Sequence, residues 1–110
     1  GTIYTNYSDK LQTTFNHIIV FVNGNSASSS ELLSLGLKKH LNNVTIIGTP
    51  TVGKGVGQRV FEEKKEKYMI FLVNHYWNVK ETNIQGMSIT PDILVNSDSI
   101  DAYFSSIGNY

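Results

Sequence analysis

Two clusters in this 110-residue chain have the residue types that nucleophilic chemistry needs. The first, Asn23-Gly24-Asn25-Ser26-Ala27-Ser28-Ser29-Ser30-Glu31-Leu32-Leu33, packs four serines into five residues. The second, Gly48-Thr49-Pro50-Thr51-Val52-Gly53-Lys54-Gly55-Val56-Gly57, is a glycine-rich loop around one lysine. A serine hydroxyl becomes an effective nucleophile when a base takes its proton during attack on a carbonyl. Lysine can be that base only when neutral, a state that burial favours because desolvation penalises the charged form.

Each cluster also has a plainer reading. A serine linker would be flanked by polar, structureless chain, and these serines sit instead between two apolar runs. A helix cap competes more strongly, because Ser28 followed by Glu31 fits the capping box. One cap, however, needs one hydroxyl. The lysine loop nearly spells a phosphate-binding loop, Gly48-x-x-x-x-Gly53-Lys54, but that motif requires Ser or Thr after the lysine and must open a helix. Gly55 stands there, and Gly57 follows, so a nucleotide site is not expected. The histidines His17, His40 and His75 are alternative bases in principle, but each reads as a surface or packing residue. No spacing of His, Asp and Glu suggests a metal site.

The elements that would position the two clusters follow from apolar patterning. Ile18-Ile19-Val20-Phe21-Val22 is a short β-branched and aromatic run ending at Asn23-Gly24, as expected of a strand buried on both faces. From about Ser29 to Leu41 the period is helical, with Leu33, Leu37 and Leu41 four apart and Leu32 and Leu35 beside them. Val44-Thr45-Ile46-Ile47 makes a second buried strand. Strand, helix and strand over some thirty residues form a βαβ unit with a parallel pair. Both clusters would then leave the carboxyl edge of that pair, where α/β sheets bind ligands. Gln58–Glu62 and Lys67–Val79 read as a hairpin around the charged turn at 62–66. Ile93-Leu94-Val95 reads as a short strand, and 98–107 as a helix with Ile100, Tyr103, Phe104 and Ile107 on one face. Residues 1–15 have no sustained period and read as irregular or a short strand.

Composition narrows the partners. Nine basic residues balance nine acidic ones, so no net field draws the chain to nucleic acid or an anionic membrane. Cysteine is absent, which removes disulfides, thiolate metal sites and cysteine nucleophiles. No segment reaches the ~18 apolar residues that span a bilayer. The start, GTIYTNYSDK, lacks the pattern of a signal peptide. With 40% hydrophobic residues, a single domain with one core is expected over 1–110.

The segment VFVNGNSASSSELLSLGLKKHLNNVTIIGTPTVGKGVGQ resembles the catalytic core of the carboxyl-terminal processing proteases, serine peptidases of family S41. In that family a strand leads to Ser-Ala-Ser-Ala-Ser-Glu at a helix start, and a second strand leads to Gly-Glu-x-Thr-Phe-Gly-Lys-Gly followed by Gln. IQGMSITPDILV is similar to the family's Gly-x-x-Pro-Asp segment, so the resemblance covers about 18–95. It implies an α/β fold with a crotonase/ClpP-like core: a βαβ unit, a mixed sheet and a C-terminal helix. It also implies Ser28 as nucleophile, Lys54 as general base, Gln58 as the residue orienting the lysine, and the Ser29 N–H as an oxyanion donor.

Ser29 stands where the family has alanine, and the interval to Lys54 is one residue longer. With the extra residue placed near Leu41-Asn42-Asn43, Ser28 keeps the role; placed elsewhere, Ser29 inherits it. Thr49 and Val52 replace the usual Glu and Phe, neither of which moves a proton. The family's second oxyanion donor comes from a glycine-rich segment with no counterpart before Ile18, and its PDZ-type module is also missing. The chain is therefore expected to be a core fragment with little peptidase activity alone. The resemblance implies protein or peptide substrates cut near their carboxyl termini and a location outside the cytoplasm. No cofactor, metal, nucleic acid or membrane contact is expected, and a homo-oligomer stays open. The alternative reading is a non-catalytic relative that binds a peptide or small ligand, its serines serving as caps.

Overall fold

A computed structural model describes Thr5 and residues 13–108. In chain order the elements are β1 (Ile18–Val22), α1 (Ser29–His40), β2 (Val44–Gly48), β3 (Val56–Glu63), β4 (Tyr68–Tyr76), β5 (Ile93–Leu94) and α2 (Ile100–Ser105). The fold is α/β. β1, β2 and β5 form a parallel sheet in the order β1-β2-β5, and β3 and β4 form a separate antiparallel ribbon. Parallel and antiparallel pairing thus occur in different sheets. The expectations for residues 1–4 and 6–12 lie outside the described residues.

Register decides what lies at the carboxyl edge. Ile18 pairs with Val44 and Val22 with Gly48, so β1 and β2 end level with one another. The close approach there requires glycine: Gly48 has φ 141°, and a β-carbon on it would collide with the Val22 carbonyl. Tyr103 of α2 closes the same end, donating its hydroxyl to Val22 O at 3.2 Å, and Phe21 meets Tyr103 and Phe104 edge-on.

The core gathers Val22, Leu35, Ile46, Val79, Ile84 and Ile89, with Val20 and Trp77 packed against it. Asp92 works as a clasp beside it. Asp92 Oδ2 accepts the Ile46 N–H at 2.8 Å and the Lys38 ammonium at 2.8 Å, while the Asp92 N–H returns a bond to Ile46 O. Lys38 also bonds Val44 O at 3.0 Å. Burial raises the pKa of Asp92, but the Ile46 N–H and the Lys38 ammonium outweigh it and hold the carboxyl below its ordinary value.

Three expectations change. β1 is half-buried over Ile18–Phe21 and only Val22 is fully buried, because β1 stands at the edge of the described sheet whereas β2 has neighbours on both sides. The Leu33, Leu37, Leu41 stripe does not face the sheet, since Leu33 is 65% exposed; the buried side of α1 carries Glu31, Ser34 and Leu35. Glu31 is anchored in a polar network at the amino end of α1, and that anchor sets the rotation of the helix. In the shorter α2, Tyr103 alone is buried while Ile100 and Phe104 are exposed.

Candidate active site

The chain leaves β1 through a compact turn in which Asn23 Oδ1 accepts the Asn25 N–H at 2.9 Å and Ser26 Oγ accepts the Asn23 N–H at 3.1 Å. Ser28 then caps α1 with φ 54° and ψ −113°, a conformation that residues bearing a β-carbon rarely adopt. Such backbone strain costs on the order of 1–3 kcal/mol and persists only where surrounding bonds over-determine it. A sharp strand-to-helix turn of this kind lifts a serine hydroxyl clear of the sheet, as does the nucleophile elbow of α/β hydrolases.

The bonds that hold the turn converge on Glu31, which is fully buried. Its Oε2 accepts the backbone N–H of Ser28 at 2.8 Å and of Lys54 at 2.9 Å. Its Oε1 accepts the Gly53 N–H at 2.7 Å and the Thr51 hydroxyl. Thr51 Oγ1 in turn accepts the Ile89 N–H at 2.8 Å. A carboxylate offers about four acceptor positions, and here all are filled. Burial raises the pKa of Glu31, yet the bonds from Thr51, Lys54, Gly53 and Ser28 prevail and keep the carboxyl below its ordinary value. One further bond, Val52 N–H to Ser26 O at 3.0 Å, ties the two loops directly. Gly53 must be glycine: its φ is 82°, and a β-carbon would sit 2.8 Å from Ser88 N.

The serine and lysine loops are therefore brought together as the sequence suggested. Ser28 and Lys54 donate their backbone N–H groups to a single oxygen, and both residues are half-buried. No hydrogen bond joins Ser28 Oγ to Lys54 Nζ among the described residues. Ser29 is exposed as the first residue of α1. Gln58 is exposed on β3, just past a register shift between Gly57 and Gln58, with no bond to Lys54 among the described residues. A cavity of about 200 Å³ opens beside the serine turn, walled in part by Phe21, Asn23, Ser26, Asp98 and Tyr103.

The histidines take other places. His17 Nε2 meets Thr45 Oγ1 at 2.8 Å, His40 is exposed at the end of α1, and His75 lies across Gly57 with Nδ1 2.7 Å from Asn74 Oδ1. No group of three His, Asp or Glu residues is placed to hold a metal ion among the described residues.

Sequence reasoning missed the organising residue. Glu31 reads locally as the partner of a capping serine, and one arm of that box is present as the bond from the Ser28 N–H. Its reach to Thr51, Gly53 and Lys54 leaves no local trace. The usable signal was an acidic residue three places after a candidate nucleophile, at a position that folding buries.

Comparison with known proteins gives a consistent result. The profile of peptidase family S41 matches residues 2–95. A carboxy-terminal-processing protease of Bartonella bacilliformis is 38% identical over 86 residues, covering 78% of this chain and 20% of the relative. A chloroplastic carboxyl-terminal-processing peptidase 2 of Arabidopsis thaliana is 33% identical over 90 residues, covering 82% of this chain and 17% of the relative. Among solved structures, a photosystem II D1 C-terminal processing protease superposes with a TM-score of 0.58 at 29% identity, over 72% of this chain and 20% of that one. The chain spans about a fifth of the length of these relatives.

Proposed function

The chain belongs to peptidase family S41, and from that premise we propose that it supplies the nucleophile and base of a serine endopeptidase acting near the carboxyl termini of protein substrates. The observation that carries the reading is the shared oxygen of Glu31, which holds the backbones of Ser28 and Lys54 side by side. In the proposed reaction Ser28 Oγ attacks the scissile carbonyl carbon as its proton passes to the neutral amine of Lys54. The resulting oxyanion is stabilised by the Ser29 N–H, which lacks an intrahelical acceptor at the start of α1. Collapse breaks the C–N bond, and the leaving amine takes the proton from Lys54. Water then attacks the acyl ester as its proton passes to Lys54, and the ester C–O bond breaks as Lys54 returns that proton to Ser28 Oγ, restoring the hydroxyl and the free amine.

Gln58 is assigned to orienting the lysine amine by a hydrogen bond that closes when substrate is bound, since catalytic bonds are commonly long in unliganded enzymes. Glu31 acts as a positioning residue, with its oxygens turned onto N–H and O–H donors rather than onto the lysine amine. The cavity beside Ser26 gives a substrate side chain room next to the serine turn. A location outside the cytoplasm is part of this proposal. No described helix is long and apolar enough to cross a membrane.

A serine-directed fluorophosphonate tests the dyad, applied to the chain and to a chimera carrying residues 18–95 within the Bartonella relative. Labelling of the chimera should disappear in Ser28→Ala and fall at least tenfold in Lys54→Ala, with much weaker labelling of the 110-residue chain. Equal labelling of wild type and Lys54→Ala would eliminate lysine as the base. Labelling that survives Ser28→Ala but not Ser29→Ala would move the nucleophile by one residue.

A further inference from the structure

The segment IQGMSITPDILV is similar to a family motif, yet none of its residues has a part in the proposed reaction. Its first half, with Asn83 just before it, lies along the lysine loop. The contacts fall on alternate residues of that loop. The Thr51 N–H donates to Ile89 O at 3.3 Å and Thr51 Oγ1 accepts the Ile89 N–H at 2.8 Å, while Gly53 O accepts the Gly86 N–H at 2.9 Å. The Gly55 N–H donates to Gln85 Oε1 at 2.9 Å, and Gly55 O accepts from Asn83 Nδ2 at 3.0 Å and from the Trp77 N–H at 3.1 Å. The residues in between, Val52 and Lys54, turn their N–H groups the other way, to Ser26 O and Glu31 Oε2. The lysine loop is thus held from two sides. The approach leaves no room for a side chain: a β-carbon on Gly55 would stand 2.6 Å from Gln85 N.

Lys54 Cα stands between two rigid peptide planes, and the orientation of those planes sets its φ and ψ and so the direction in which its side chain departs. Glu31 Oε2 fixes the N–H of the plane before it, and Gln85 Oε1 fixes the N–H of the plane after it. Gly55 is buried, so removing the Gln85 oxygen leaves that N–H without its partner. Gln85 is itself exposed, and its backbone N–H is tied to Asn83 Oδ1 at 2.9 Å, while Asn83 Nδ2 also reaches Trp77 O at 2.6 Å. An exposed side chain that gives its oxygen to a buried N–H next to the base adds little to the core. What it fixes is the backbone. A neutral amide suits the place, because a carboxylate beside the lysine would favour the charged amine.

We propose that Gln85 is a positioning residue for Lys54, the counterpart of Glu31 on the opposite flank of the loop, and that Asn83 holds the turn that presents it. Its task differs from that of Gln58, which is directed at the amine. The catalytic meaning of the assignment rests on the peptidase reading, whereas the bond from Gly55 to Gln85 does not.

Two measurements test the bond and its consequence separately. In the 110-residue chain, hydrogen exchange of the Gly55 amide should quicken by about tenfold or more in Gln85→Met, which keeps the side-chain length and removes the acceptor. It should return close to the wild-type rate in Gln85→Glu, with the amides of β2 protected in both variants. In the chimera with the Bartonella relative, the fluorophosphonate rate at saturating probe is read on the alkaline plateau of its pH profile. That rate should fall on the order of tenfold or more in Gln85→Met with the half-saturating probe concentration unchanged, and recover to within about threefold of wild type in Gln85→Glu. Lys38→Met, which breaks the ion pair to Asp92 farther along the same segment, should lower the thermal midpoint and leave the rate unchanged. Unaltered Gly55 exchange in Gln85→Met, a wild-type rate in Gln85→Met where Lys54→Ala has lost labelling, no recovery in Gln85→Glu, or an equal fall in Lys38→Met would each overturn the assignment. Equal labelling of wild type and Lys54→Ala would remove the peptidase reading and the assignment with it. That result is distinguishable, because Gly55 exchange would still respond to Gln85→Met.

Discussion

The loops around Glu31 and the β3–β4 ribbon solve opposite problems. In the first, a handful of polar groups is buried with every acceptor of one carboxylate occupied, around a serine whose backbone is strained. In the second, regular backbone pairing carries a dense set of apolar side chains outward into solvent. The loops spend stability to fix a geometry, and the ribbon leaves apolar surface uncovered. Order in this chain therefore does not track regularity: the irregular segment is the one whose neighbours determine it.

Breaking the knot should have the largest effect. Glu31→Ala strands the N–H groups of Ser28, Gly53 and Lys54 and the Thr51 hydroxyl, and should lower unfolding free energy by roughly 3–5 kcal/mol in urea titrations. A loss below about 1 kcal/mol would mean that water or a rearranged loop replaces the carboxylate. The acid response is next. Glu31 and Asp92 both have folded pKa values below their unfolded ones, so their stabilisation is complete above the ordinary carboxylate range and is lost as pH falls through the lowered folded values. Thermal midpoints should be flat from neutral pH down to about 5 and then fall steeply toward pH 3. In Glu31→Gln, the part of that fall due to Glu31 should vanish; an unchanged profile would assign the acid sensitivity elsewhere. The smallest effect belongs to the ribbon. Met69→Thr, at a 56%-exposed position, should change stability by less than about 0.5 kcal/mol in urea titrations. A larger loss would show that the ribbon is held from within the chain.

The same contrast explains what could be read from sequence. β1, β2, the ribbon and α1 were legible because apolar runs and helical spacing are local properties. So was the meeting of the serine and lysine loops, which follows from a parallel βαβ connection. The facing of α1 was not legible. Five leucines outvote one glutamate in any count of hydrophobic periodicity, yet four hydrogen bonds to that glutamate decide which side turns inward. The separation of the ribbon from the parallel sheet was equally hidden, since alternation and apolar content describe a strand without naming its neighbour. The place of Gln58 suffered from the same gap: the irregular pairing at Gly57 alters which way the following residues project.

The level ends of β1 and β2 also say how the frame around Ser28 and Lys54 can drift in length over evolution. Ser28 and Lys54 each stand six residues beyond a paired strand end, Val22 for one and Gly48 for the other. What must be conserved is the length of those two arms, counted from the sheet. The stretch from Leu41 to Asn43 joins α1 to the opposite end of β2, so a residue gained or lost there changes the numbering while both arms keep their reach. Insertions in homologous chains should gather at that distal bend and be purged from the arms.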